Sequence, residues 1–294
     1  SWARDVYKRQ VYRRLRRAGL SLPRPRLEDY EHEPYIVFGH FLDDVEETIR
    51  EGRWVVLMLD EFEKIEDKLQ AGVFTPDLLE YLRNAMHHRP RMALLFAGCH
   101  TLEDMVRQYW SPFFGAAASV RVSYLDTESA TQLITNPWDG FPVNYDPEAV
   151  ERIIAVTGGQ PLLLQAVCAE VIEHLNRRLA REGGQVMPQV SLADVENVLD
   201  KVLTVGYYFE AVWKELAEHE RLVLSALAME QDEPDTWEER EDVEEHLRGR
   251  LPAEQLAEAW GLLEKRKMVE RQGDEYRFRV ELVRRWTRRY RPLE

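Results

Sequence analysis

Residues 54–63 read Trp54-Val55-Val56-Leu57-Met58-Leu59-Asp60-Glu61-Phe62-Glu63. Trp54 to Leu59 run without a polar break and end on two adjacent carboxylates. An unbroken apolar run of this length predicts a strand buried on both faces, as in the middle of a parallel sheet. Two anions at its carboxyl end then lie where open α/β sheets bind ligands. A second reading is structural: the buried strand runs into a helix whose N-terminus favours Asp and Glu through its dipole. The rest of the chain has to choose between them.

The chain has 294 residues, enough for two or three small domains. A net charge of −14 disfavours non-specific binding to nucleic acid or anionic membrane over most of the surface. Cys99 and Cys168 have no metal-ligand spacing and lie in apolar stretches, which predicts reduced core residues of a cytoplasmic protein. No apolar run reaches the ~20 residues that span a bilayer.

Outward from the central stretch, apolar and breaker residues alternate in a regular order. Phe38, Phe41, Leu42, Val45 and Ile49 recur at helical spacing before Gly52. Leu78, Leu79, Leu82 and Met86 mark a helix after Pro76, and Pro90 separates it from a second apolar strand over 92–97. That strand leads into Gly98-Cys99-His100-Thr101, a short helix, and an alternating strand over 119–125. Helical crossovers between such strands predict a doubly wound α/β half-domain.

Beyond Leu125 the strands stop. Asp126 caps one helix, a second spans about 147–156 and breaks at Gly158-Gly159, and Pro161 opens a long apolar third. Ser191 caps a fourth. From 206 onward, helices and a hairpin turning at Gly273-Asp274 describe a winged helix, before a last helix with Leu282, Val283 and Trp286. Residues 230–245 are dense in Asp and Glu and are expected to be a solvated loop and helix face.

This order resembles the STAND-type ATPases, signal-transducing relatives of AAA+ and Orc/Cdc6-like P-loop proteins. The resemblance rests on a Walker B form at Asp60-Glu61, a strand ending near a sensor position, a helical segment with Gly158-Gly159-Gln160-Pro161, and a winged helix, over about 36–294. It implies ATP and Mg²⁺ as cofactors of the intact parent. Asp60 would then be the metal-side carboxylate and Glu61 the group that activates water. Pro161, with Gly159 before it, would lie against the nucleotide, the alternative being an ordinary helix-starting proline. His100 stands at the sensor position, where relatives often carry Arg; it is a phosphate donor or a loop histidine. A winged-helix histidine touches phosphate in some relatives, and His219 and His246 are both open to that role. Glu63 is either a supporting acid or, as the expectation taken here, part of the exposed face of the following helix.

One motif is absent. A Walker A loop, Gly-x-x-x-x-Gly-Lys-Ser/Thr, needs its lysine directly after a glycine. None of Lys8, Lys64, Lys68, Lys201, Lys214, Lys265 and Lys267 follows one. Asp5-Val6-Tyr7-Lys8-Arg9-Gln10 matches the translation of a sequencing-library adapter, so residues 1–10 are expected to be a scar. The division expected is then 11–125, a partial P-loop NTPase core; 126–205, a helical lid; and 206–294, a winged helix. Together these make an α/β fragment of an ATP-hydrolysing switch, truncated between Walker A and Walker B and itself unable to bind ATP well. The alternative is a winged-helix DNA-binding or protein-interaction module on a degenerate NTPase scaffold. Arg271, Arg277 and Arg279 on the hairpin and the run Arg284-Arg285-x-x-Arg288-Arg289 favour DNA; Glu254, Glu258 and Glu264 on the preceding helix oppose it. The partners expected are nucleotide and, through the lid and winged helix, a second copy or another protein. DNA and membrane are not expected.

Overall fold

A computed structural model describes residues 2–24, 34–98, 118, 120, 122–182, 188–204 and 207–293. The chain forms two compact units, 1–121 and 122–294.

In the first unit, helix α1 spans Trp2–Arg17 and α2 spans Pro34–Thr48. Strand β1 (Val55–Leu59) is followed by helices α3 (Glu63–Gln70) and α4 (Asp77–His88) and by strand β2 (Met92–Phe96). The strands pair in parallel with Leu57 opposite Leu94, and the helical crossover between them is the connection that parallel pairing requires. Val55 and Leu94 pack with Phe41, Leu42 and Val45 of α2, while Leu59 and Phe96 pack with Phe62, Leu79 and Leu82. Arg89 and Arg91 tie β2 to α2: Arg89 donates to Glu46 and to the Gly39 carbonyl, and Arg91 donates to the Glu46 and Ile49 carbonyls.

The structure corrects the expectation of a strand buried on both faces. Burial along β1 alternates, and Trp54 (64%), Val56 (48%) and Met58 (67%) are exposed, with Leu95 of β2 beside them. The physical reason is that the described helices pack on the Val55, Leu57 and Leu59 side alone. A second correction concerns 119–125. Among the described residues of that stretch no strand forms, and Val120 and Val122 are exposed. The Leu125 N–H is instead given to the Gly159 carbonyl at 2.9 Å. Residues 119 and 121 and the short helix expected after Thr101 lie outside the described residues.

The second unit begins with α5 (Thr127–Thr135), whose N-cap Asp126 accepts the Ser129 N–H at 2.7 Å. Next come β3 (Asn144–Tyr145), α6 (Pro147–Thr157), α7 (Pro161–Glu182), β4 (Gln189–Val190) and α8 (Leu192–Thr204). Strands β3 and β4 form a short parallel pair that the sequence reading missed. Helices α9 (Tyr207–Glu215) and α10 (Glu218–Glu230) lead to β5 (Glu238–Glu239), α11 (Arg240–Glu245) and α12 (Ala253–Lys265). Hairpin β6 (Val269–Gln272) and β7 (Glu275–Phe278) turns at Gly273, and α13 (Glu281–Tyr290) follows. The small antiparallel sheet has the order β5-β7-β6. One continuous core unites all of this, from Ile134 and Leu163 through Leu199 and Leu224 to Trp260, Phe278 and Trp286. Glu281, itself buried, accepts both guanidinium nitrogens of Arg152 (2.8 and 3.1 Å) and so clamps α13 to α6.

Candidate functional site

Asp60 and Glu61 follow directly on β1 and are both exposed. The backbone turns sharply there. Glu61 has φ +51°, a left-handed conformation that costs a side-chain-bearing residue energy and that clusters at functional sites. Its N–H donates to Asp60 Oδ1 at 3.0 Å, and its carboxylate pairs with Lys64 one turn on. The ends of the two strands are held together below the turn: Ala97 N–H bonds the Leu59 carbonyl (2.9 Å) and Phe62 N–H the Ala97 carbonyl (3.0 Å). Thus the parallel pairing that positions the carboxylates also positions the end of β2.

Glu63 departs from its expectation of an exposed helix face. It is half-buried, and a Cβ added to Gly98 just past β2 would lie 2.2 Å from its Oε2, so any larger residue there would displace the Glu63 carboxylate. The signal was present in the sequence, since a glycine closing a strand marks a close approach. His100, the expected sensor, lies outside the described residues, as does Cys99.

The second set of expected residues stands in the second unit. Gly158 closes α6 at φ +57° and Gly159 continues at φ +73°. Neither accepts a side chain: a Cβ would come within 2.9 Å of the Arg279 carbonyl at Gly158 and within 2.4 Å of the Leu125 carbonyl at Gly159. Gln160 then caps α7 by accepting the Leu163 N–H on its side chain (2.7 Å), and Pro161 takes the first helical position. Packing and capping thus hold this turn in place. Around it, Arg279 lays its guanidinium 4.8 Å over the Tyr124 ring. Burial raises the Tyr124 hydroxyl above its ordinary pKa, against the pull of Arg279.

The two histidines are placed differently. His246 Nε2 pairs with Glu230, while His219 Nε2 is buried without a hydrogen bond, 3.9 Å from Glu258. The hairpin arginines are engaged within the molecule. Arg277 makes a two-pronged contact with Glu270 (2.9 and 2.7 Å) and stacks over Trp237, and Arg271 contacts the Gly273 carbonyl, Asp274 and Glu264. Cys168 is deep enough for burial to push its thiol up to about 12.

Among the described residues no group of three or more His, Cys, Asp or Glu side chains is arranged to hold a metal. Mg²⁺ bound with a nucleotide needs less, one or two carboxylates with phosphates and water completing the shell. Exposed Asp60, with its Oδ2 not engaged by the Glu61 N–H, fits that demand. No helix is long and apolar enough to cross a membrane among the described residues.

No protein-family model matches the chain, and no curated protein matches it. Among solved structures, a Walker-type ATPase of Pyrococcus abyssi superposes with a TM-score of 0.62 at 17% identity, covering 89% of this chain and 70% of that one. RuvB of Thermotoga maritima (TM-score 0.41, 15% identity, 76% and 66% covered) is a weaker likeness. So is a STAND protein with a tetratricopeptide repeat sensor from Pyrococcus horikoshii (0.29, 18%, 86% and 29%). The likeness to the Pyrococcus abyssi protein concerns the fold alone, and by it the chain has the fold of a Walker-type ATPase.

Proposed function

We propose that this chain is the Walker B-bearing part of an ATP-dependent switch of the STAND type. Asp60 holds Mg²⁺ and Glu61 orients the attacking water. The helices over 126–205 act as a lid whose Gly159 and Pro161 border the nucleotide, and 206–294 acts as a winged helix. The observation that carries the reading is the Asp60-Glu61 pair on a left-handed turn at the carboxyl end of a parallel strand, in a chain with a Walker-type ATPase fold. Mg²⁺, when bound, neutralises charge on the β- and γ-phosphates. The residues of this chain then divide the work. Asp60 presents an anion for the metal, Glu61 must leave Lys64 to accept a proton from water, and Glu63 is held at the end of the neighbouring strand.

The alternative is a DNA-binding winged helix, and the pairing of two hairpin arginines speaks against it. Arg271 and Arg277 are paired within the molecule, so reaching a phosphate would cost them those contacts. Self-association or a protein partner remains part of the proposal.

Phosphate affinity in this fold comes mainly from the Walker A backbone and lysine, and residues 1–294 contain no such loop. Calorimetry with Mg·ATP on residues 1–294 is expected to give a Kd of about 1 mM or weaker. An extended chain bearing a Walker A loop is expected to bind in the micromolar range. Micromolar binding by residues 1–294, or no gain on adding the loop, contradicts the proposal.

A further inference from the structure

A groove between α8 and α13 lies apart from the Asp60-Glu61 turn and the Gly158-Pro161 turn, and it is lined by the arginine run that the sequence offered to DNA. Arg284, Arg285, Arg288 and Arg289 occupy successive turns of α13 and line a depression of about 290 Å³. Leu203 and Asp200 of α8 form the opposite wall, with Asp232 at the margin. In a chain of net charge −14, four guanidinium groups against two lining carboxylates reverse the local sign.

The carboxylates do not close the site. Their side chains are largely exposed, and Asp200 approaches Arg289 only to 3.6 Å. Asp232 engages Arg288 at 2.7 Å, and Arg285 is committed to Glu281, which also serves Arg152. Arg284 is different. It is 5% exposed, and its Nη1 donates to two neutral acceptors, the carbonyls of Gln231 (2.7 Å) and Asp232 (2.9 Å). Its Nε is buried with no hydrogen-bond partner. Neutral carbonyls satisfy donors without cancelling charge, and a buried cation needs an anion close by. Burial lowers the Arg284 pKa, and Arg285 and Arg288 lower it further, against the pull of Glu281 and Glu233. An added anion relieves both effects.

We propose that this groove binds a phosphate group, either as free phosphate or at the end of a small phosphomonoester. The planar donor forks of Arg288 and Arg289, half-exposed at the mouth, match the geometry of a phosphate edge. The volume lies just below the roughly 300 Å³ at which ordinary ligand pockets begin, so it suits a single charged group rather than a whole nucleotide. The inference is independent of the ATPase reading, because the groove lies wholly within the second unit.

The test uses residues 1–294 and inorganic phosphate, titrated by calorimetry against a chloride background of matched ionic strength. Saturable binding is expected, weakened at least tenfold in the double variant Arg288→Gln/Arg289→Gln and unchanged in Arg271→Gln on the hairpin. Because both exchanged side chains are half-exposed, retention of the fold is checked by an unchanged thermal midpoint in chloride. If the double variant unfolds, the single variant Arg289→Gln takes its place, with an expected loss of at least threefold. A parallel titration with glycerol phosphate distinguishes the sources: tighter binding than inorganic phosphate supports a phosphomonoester, weaker binding supports the free anion. Absence of saturable phosphate binding overturns the proposal, as does binding indifferent to the variants. Binding of a short DNA duplex without inorganic phosphate binding also overturns it, assigning the surface to nucleic acid.

Discussion

The two units solve the same packing problem to different extents. The second buries a single continuous core in which Trp260 stacks on Tyr276 at 4.0 Å and Trp286 meets Phe209 and Trp213. Among its described residues the first divides its core into two small clusters on one face of a two-stranded sheet and leaves Trp54, Val56 and Met58 exposed on the other. Parallel sheets are ordinarily covered on both faces. Among the described residues, the unit that carries the candidate carboxylates is therefore the one with a strand face left uncovered.

That contrast can be broken by mutation. Trp260→Ala, which removes a buried ring and its Nε1–H bond to Glu244, is expected to cost about 4 kcal/mol. Met58→Ser on the open face is expected to change stability by less than about 0.5 kcal/mol while lowering binding of a hydrophobic dye. Denaturant titrations of both variants check this; comparable losses would mean that the open face is covered in solution.

Glycines sharpen the comparison. Gly159→Ala must push a Cβ against the Leu125 carbonyl as well as hold a positive φ, an expected loss of roughly 3 kcal/mol. Gly52→Ala in the first unit has a positive φ but open space around it, an expected loss of about 1 kcal/mol. Equal thermal shifts for the two would remove the packing argument for the Gly158-Gly159 turn.

A smaller effect depends on pH. Asp194 is buried, which alone would raise its carboxyl above the ordinary 3.8. The Ser191 N–H and hydroxyl, with Arg178 at 2.6 Å, outweigh burial and hold it lower. A folded pKa below the unfolded one gives stability that is present above about pH 4 and is lost as pH falls through the folded value. Asp194→Asn is expected to cost about 2 kcal/mol at neutral pH and to flatten the acid limb of the stability profile of the second unit. A variant whose acid limb matches the parent would place that pH dependence elsewhere.

Much of the element order was legible because Gly and Pro punctuate it. Pro76, Gly158, Pro161 and Gly273 stand where helices begin, helices end or the hairpin turns. The open face of β1 was not legible, because an apolar run records what a strand tolerates and not which neighbours reach it. Strand β5 was hidden for another reason. Glu238 and Glu239 have poor strand propensity, and it is backbone pairing with Tyr276 and Glu275 of β7 that makes them a strand. Of the candidate site, the carboxylates and their strand were legible. The left-handed turn at Glu61 depends on backbone geometry that no local pattern encodes, whereas Gly98 after the second strand did signal a close approach without naming Glu63 as the group that makes it.

Whether Asp60 and Glu61 serve ATP hydrolysis is decided by Glu61→Gln in an extended chain bearing a Walker A loop, with ATP affinity and turnover measured on the same preparation. Removal of a base rather than a phosphate contact is expected to slow turnover by about 100-fold or more while leaving the Kd for Mg·ATP within about threefold. Turnover unaffected by the substitution, or lost only in proportion to binding, would contradict the account and leave Glu61 as a turn residue held by Lys64.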